Sequence, residues 1–400
     1  MFLKNYKYKD FNLNIFLLFS FIAIALRVWI SQFGSNFDFG QWQNNLELFK
    51  QGKSIYEFGN YTYSTPWIYT LYFLDTISFS LIEKNSFIKS IPGTFYRFKI
   101  VVFLSLVDVY IFYLLYKNYS LKIGLLYLIN PISIILTGHH NAFENYAILF
   151  GFLSILMYGN FNVKEISYKK IFSLLLLGFS ISIKHILLFL PLWLAFKEKK
   201  MINKLLILII PYTFFIITFT PFLPEDFYNI IYKILYFGAH ETGPFWKIFL
   251  PAIFDKYFSF HTLFSLLMII MGFCLVNKNL KDTFFLYLIA VVAFAPQIYT
   301  QYLLIPLIAI VVYWNVKFTI YTSLATLLFL IDGDQLNIQY LREILNWDLR
   351  STRIAYYPLV FILILFFFEK TTKYKKIYLV VIKILKLFLY KVKLSLSFKK

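Results

Sequence analysis

The run IFSLLLLGFSISIKHILLFLPLWLAF, residues 171–196, decides the fold class. It is apolar throughout except for scattered serines and the pair Lys184–His185 at its centre. A helix crosses the hydrocarbon of a bilayer with roughly 20 apolar residues, so this run is long for one upright helix. It is also far too oily for a soluble surface. Two half-helices meeting near Lys184 would lift the ionisable pair to an outward tip, away from hydrocarbon. In that case another segment must also fail to cross.

The rest of the chain repeats the pattern. Of its 400 residues, 60% are apolar, 22% aromatic and only 15% charged. A soluble domain of this size keeps a charged shell around one core, so the bilayer must be the main solvent for these side chains. The formal net charge of +19 would suggest nucleic acid in a soluble protein. Here the lysines sit in short stretches between apolar runs, as the positive-inside rule requires, and nucleic acid is not a partner.

Apolar runs at 12–32, 66–83, 100–116, 122–137, 146–158, 171–196, 205–223, 259–276, 283–298, 302–314, 318–331 and 353–368 predict an all-α, polytopic transmembrane helix bundle. That makes about eleven or twelve spans, some of half length, with a long first extracytoplasmic loop over 33–65. Lys4, Lys7 and Lys9 place the N-terminus in the cytoplasm, before a retained first helix. The same rule puts Lys84, Lys89, Arg97 and Lys99 inside, together with Lys197, Lys199, Lys200, Lys204, Lys278, Lys281 and Lys317. In the middle, charge and alternation disagree. Strict alternation places HHNAFENY (139–146) inside and the turn with Lys164, Lys169 and Lys170 outside, whereas the charges ask for the reverse. One span there is expected to be broken or re-entrant.

Residues 1–368 read as one membrane domain, divided into an N-terminal module (1–204) and a more variable C-terminal module (205–368). The tail 369–400 carries ten lysines and one acid, with Lys376, Lys383, Lys386, Lys393 and Lys400 aligned as a stripe. It is expected to lie as an amphipathic helix on anionic lipids of the cytoplasmic leaflet. Cys274, the single cysteine, lies in an apolar run and reads as a small buried residue. The sequons at Asn60 and Asn118 have meaning only in a eukaryotic secretory compartment.

Ionisable groups at membrane depth are costly, which makes them functional candidates. Asp38 lies just past the first span among Phe37, Phe39 and Trp42; a helix cap is the plainer reading of it from spacing alone. His139, His140, Asn141, Glu144 and Asn145 form a second cluster, and Lys184 with His185 a third. Adjacent helical histidines diverge by about 100 degrees, so His139 and His140 face one metal ion only if the turn is irregular, and no tight metal site is expected. Asp332 and Asp334 suit a turn, with room for a weakly held divalent cation. No resident cofactor is called for.

Asp38 near the start of the outer loop, then KQGKSIY (50–56) and YSTPWIYTLYFL (63–74), resemble the C-type (GT-C) integral-membrane glycosyltransferases. INPISIILTGHHNAFENYAILFGFLSI (129–155) and LLLLGFSISIKHILLFLPLWLAF (174–196) are similar to the branch that uses polyprenyl- or dolichyl-phosphate sugars, and QIYTQYLLIPLIA (297–309) is a fainter echo. The HHNAFEN turn and the single acid at 38 depart from that branch. The resemblance implies hexose transfer from a polyprenyl-phosphate donor to a hydroxyl acceptor (a lipid-linked glycan, polysaccharide or protein) on the extracytoplasmic side. It implies Asp38 as the catalytic base and Lys184 and His185 at the donor phosphate.

The chemistry is consistent with that list, since a phosphate leaving group needs no general acid, one carboxylate serves as base, and cations neutralise the leaving group. His139, His140, Asn141, Glu144 and Asn145 are expected to bind substrate, with Trp42, Tyr56, Tyr61 and Tyr63 as stacking surfaces for sugars. A transporter or flippase for lipid-linked sugars is the alternative; it would place the same clusters along a pathway. A non-catalytic subunit would tolerate alanine at all of them.

Overall fold

The computed structural model describes residues 11–77, 94–159, 167–235, 260–331 and 356–371, with positions 336, 338, 343 and 344. Among them no strand occurs, and sixteen α-helices carry the chain. In order they are α1 (Leu13–Ile30), α2 (Phe37–Lys50), α3 (Thr65–Thr76), α4 (Thr94–Asn118), α5 (Leu121–Leu128), α6 (Pro131–Gly138), α7 (Glu144–Tyr158) and α8 (Tyr168–Ile183). Then follow α9 (Leu190–Lys197), α10 (Met201–Ile217), α11 (Leu223–Leu235), α12 (Phe260–Cys274), α13 (Leu280–Ala293), α14 (Leu307–Val312), α15 (Val316–Ile331) and α16 (Tyr357–Thr371). The tail beyond 371, Asp332, Asp334, Lys84 and Lys89 lie outside the described residues.

Two helices are each long and apolar enough to cross a membrane: α1 with its 3-10 extension to Phe33, and α4 from Tyr96. The pairs α5–α6 and α8–α9 pass the same test jointly but are bent by 45° and 118°, giving up to four such spans. α7, α10, α12, α15 and the segment Thr300–Val312 are shorter apolar helices.

The contacts define two ends of the bundle. At one end, Arg97 at the start of α4 donates to the carbonyls of Ser31 (2.6 Å), Gly34 and His139 (2.9 Å). At the other end, Lys281 reaches Asn118 (3.2 Å), Tyr313 reaches Asp282 (2.6 Å), and Lys197 donates to the carbonyls of Leu275, Val276 and Lys278. Lys278 also bonds the carbonyl of Lys370, Lys317 pairs with Glu369, and Lys170 faces the Tyr158 ring. The turn with Lys169 and Lys170 therefore shares an end with Lys197 and Lys281, while the histidine turn lies at the opposite end.

Two expected spans have a different form. α3, read from sequence as the start of a span over 66–83, is 12 residues long, about 18 Å, short of a bilayer core. Its first residue, Thr65, bonds the carbonyl of Thr218 past the end of α10. Its last turn meets Lys50 (2.7 Å to Asp75) and Lys99, which donates to the carbonyls of Asp75 and Ile77. Both its ends are thus held at the Arg97 end, and the helix lies across the bundle. Arg97 and Lys99, expected to share an end with Lys197, stand at the opposite one.

The run 171–196 breaks at Lys184. There the backbone turns extended (φ −153°, ψ 129°), a 3-10 turn covers His185–Leu187, and α9 heads back. Irregular backbone survives in an apolar interior only when its polar groups find partners. Tyr287 of α13 donates to the carbonyl of Ile186 (2.8 Å) and accepts from Phe189 N–H (3.1 Å), while Tyr212 of α10 donates to the carbonyl of Leu188 (2.8 Å). α8 and α10 approach closely at Gly178, where a Cβ would come within 2.7 Å of Phe214.

One continuous core runs from Ile30 to Phe367 and joins both halves of the chain. Within it, Arg27 of α1 pairs with Asp108 of α4, and Tyr127 (2.8 Å), Thr137 (2.7 Å) and Asn145 (2.6 Å) donate to the same carboxylate. Arg27 also donates to Ser133 and to the carbonyls of Ala23 and Leu128, so five helices meet on one buried ion pair. Cys274, read as buried, is exposed at the end of α12, where the helix surface turns outward.

Candidate functional site

The site forms where α2, α7, the α8–α9 break and the 3-10 turn Thr300–Leu304 converge. Asn36 is the N-cap of α2, its side chain accepting from Phe39 N–H. Asp38 is therefore a first-turn residue, and its carboxylate is free to face the cluster. Asn36 and Gln301 each donate to Asp38 Oδ2 at 3.4 Å, long contacts that hold the carboxylate loosely. The Tyr63 hydroxyl stands beside the same carboxylate, as does the charge of Lys184. Burial raises the Asp38 pKa above the usual carboxylate range, and Lys184, Asn36 and Tyr63 only partly oppose it.

Lys184 ends α8 with its ammonium on Oε1 of Glu144, the first residue of α7. Three rings wall the ammonium: Phe143 at 4.7 Å, Tyr63 at 5.2 Å and Tyr302 at 5.9 Å. Asp38, Tyr63, Glu144 and Lys184, widely separated in sequence, thus share one cluster. Burial and the two carboxylates hold the Tyr63 pKa well above its ordinary value, so its hydroxyl stays protonated and able to donate.

The histidine turn packs against the loop after α1. The His139 ring lies against Gly34, where a Cβ would meet Nε2 at 3.0 Å. His140 Nδ1 lies 3.4 Å from the Asn36 amide. Burial lowers the His139 pKa to about 4, helped by the Arg97 charge. It lowers that of His140 to about 3, helped by His139 and Arg97. Both imidazoles are neutral at physiological pH. Asn141 adopts a left-handed backbone (φ 59°) and accepts from Arg97 Nε at 2.9 Å. The Arg97 fork thus ties this turn to the turn that leads into Asp38.

Other expected residues have different surroundings. Asn145 points to Asp108 and belongs to the buried ion-pair network. Trp42, Tyr56 and Tyr61 are fully or nearly fully buried. Trp42 and Trp67 pack on Phe143, and Tyr56 donates to the carbonyl of Tyr63 at 2.9 Å. They brace Phe143 and Tyr63 and offer no open face for a sugar; of the four aromatics, Tyr63 alone contacts the charged cluster. His185 begins the 3-10 turn next to Lys184, and its Nδ1 is buried without a partner. Glu144 Oε2, His139 Nδ1, Asn141 Nδ2 and Ser64 Oγ are also unpartnered, a concentration of unsatisfied polar atoms that suits a ligand.

Asn36, Arg97, Gln301 and Tyr302 were not singled out from sequence. Gln301 and Tyr302 stand in the QIYTQYLLIP echo, where polar groups interrupt an apolar run. Among the described residues, no three metal-ligating side chains gather in one place.

A separate groove of about 620 Å³ is lined by Thr65, Tyr69 and Phe73 of α3, Phe103 of α4, Tyr146 of α7 and Phe179 of α8, and none of Asp38, Glu144 and Lys184 lines it. Two residues apart on α7, Tyr146 and Glu144 point to different faces of that helix, and Phe179 stands five residues before Lys184. No family model matches the chain, and no curated protein or solved structure matches it either.

Proposed function

We propose that the chain is a multi-pass membrane glycosyltransferase that moves a hexose from a polyprenyl-phosphate donor to a hydroxyl acceptor. The observation that carries this reading is that Lys184 and Asp38 flank Tyr63: the ammonium lies 5.2 Å from the Tyr63 ring, and the Tyr63 hydroxyl stands beside the carboxylate. The reaction needs a base beside a cation. The acceptor oxygen attacks the anomeric carbon as its proton passes to Asp38. The bond from that carbon to the phosphate oxygen breaks, and the electron pair leaves with the polyprenyl phosphate. Lys184 neutralises the charge that develops there, and the neutral imidazole of His140 supports the Asn36–Asp38 turn.

The apolar groove among α3, α4, α7 and α8 is large enough for a stretch of lipid tail, though none of Asp38, Glu144 and Lys184 lines it. Lysines also support an orientation. Lys170, Lys197, Lys278, Lys281 and Lys317 gather at the end away from the site, which favours a cytoplasmic assignment for that end, although Arg97, Lys99 and Lys50 stand at the site end. Lys4, Lys7 and Lys9 before the first helix and the lysines of the tail favour cytoplasmic termini in this reading. A bacterial inner membrane or the endoplasmic reticulum fits such a protein.

The test is reconstitution in liposomes with a panel of polyprenyl-phosphate hexoses and a lipid-linked or polysaccharide acceptor, with products read by mass spectrometry. A new glycosidic bond made by the wild type and lost in Asp38→Asn supports the reading. Movement of intact lipid-linked sugar across the bilayer, with no new bond, replaces it with a flippase.

A further inference from the structure

Glu144 has no role in the transfer just described, yet it occupies the centre of the site. Its Oε1 accepts from Lys184, while Oε2 is buried and has no hydrogen-bond partner. A buried carboxylate satisfied on one oxygen alone is poorly stabilised. The rings of Phe143, Tyr63 and Tyr302 wall the Lys184 ammonium, and the Glu144 carboxylate, itself fully buried, is the anion paired with it. Lys184 is therefore already neutralised, and a phosphate gains its charge only by exchange with Glu144.

We propose that Glu144 stands in for the donor phosphate in the empty site and is displaced from Lys184 when a polyprenyl phosphate binds. This rests on the glycosyltransferase reading of the same site. A phosphate monoester brings a larger negative charge and more acceptor oxygens than one carboxylate, so the exchange favours the donor. In the empty site, the pair keeps an unneutralised ammonium out of an apolar pocket. Glu144 is thus a positioning residue: it sets the affinity for the phosphate without touching the sugar.

The test measures binding of a sugar-free polyprenyl phosphate to the solubilised full chain, which separates affinity from turnover. Removing the competing carboxylate in Glu144→Gln is expected to tighten binding roughly ten-fold, the worth of one charge-assisted hydrogen bond. Glu144→Asp should fall between Gln and wild type, and Lys184→Ala should lose most of the affinity. A purely structural Glu144 would lower thermal stability and leave affinity equal or weaker; that result in a folded Gln variant overturns the proposal. In the wild type, difference infrared spectra on adding the lipid should show a perturbed buried carboxylate, and an unchanged carboxylate region overturns the proposal independently of any variant. If the wild type binds no polyprenyl phosphate, the glycosyltransferase reading fails as well. If it binds but Glu144→Gln brings no gain, only the displacement fails.

Discussion

Arg27 Nε stands 3.0 Å from Asp108 Oδ2, and neither side chain is accessible. The two residues belong to the two helices that are each long enough to cross a bilayer alone, and five further hydrogen bonds from Tyr127, Ser133, Thr137 and Asn145, and from Arg27 to Ser133, complete the cluster. Breaking such a pair leaves an uncompensated buried charge. Arg27→Ala or Asp108→Ala is expected to destabilise the solubilised protein by about 3–5 kcal/mol, whereas the double change Arg27→Met with Asp108→Leu should recover much of the loss. Thermal unfolding of the three proteins checks this; single variants as stable as the wild type would refute it.

Asp38→Asn keeps the shape of the side chain and removes the base. Transfer should fall by about 100- to 10,000-fold while insertion and thermal stability stay near wild type. In the wild type, the raised pKa of Asp38 moves the acid limb of the rate profile upward: activity is lost as pH falls through a value above 3.8. A limb at or below the ordinary aspartate value would remove Asp38 from the role of base.

The two histidines give stability an acid limit. Their folded pKa values, about 4 and about 3, lie below the ordinary 6.5, so the fold favours the neutral rings. Their contribution is fully present above pH 6.5 and is lost as pH falls from there towards 4 and then 3. Asp38 works in the opposite sense, favouring the fold most when protonated. Thermal melts between pH 7 and pH 4 should therefore drop, and His140→Gln should flatten the curve; an unchanged slope would refute the assignment.

Tyr287→Phe retains the ring that packs at 5.0 Å from Trp193 and removes both bonds to the α8–α9 break. It leaves the Ile186 carbonyl and the Phe189 N–H unpaired in an apolar interior. A loss of about 1–3 kcal/mol is expected, with weaker donor binding because the break carries Lys184. Donor affinity equal to wild type would separate the break from the site.

Much of this was legible in the chain. Helix, oil and the break at Lys184 follow from run length and from the expense of a lysine inside an apolar stretch. The convergence of Asp38, Glu144 and Lys184 was legible only as three separate clusters, because pairing depends on which helices neighbour one another. α3 was misread because hydropathy does not distinguish a helix that crosses from one that lies over the bundle; its polar ties to Lys50, Lys99 and Thr218 are long-range. Arg97 was counted as a topology charge, although burial pays no heed to the sign rule once five oxygens surround a guanidinium. Trp42 and Tyr56 were read as stacking surfaces, but large rings near an apolar interface pack inward when neighbouring rings can cover them.

The bend at Lys184 also binds the fate of the two halves together. Tyr212 and Tyr287, which complete its backbone, come from beyond residue 204, as do Gln301 beside Asp38 and Tyr302 beside Lys184. A fragment ending at 204 would carry the acid and the lysine yet lack the parts that hold them in place. Such a fragment is not expected to hold the Asp38–Lys184 cluster together, and split versions should rebuild it only when both pieces are made in the same cell.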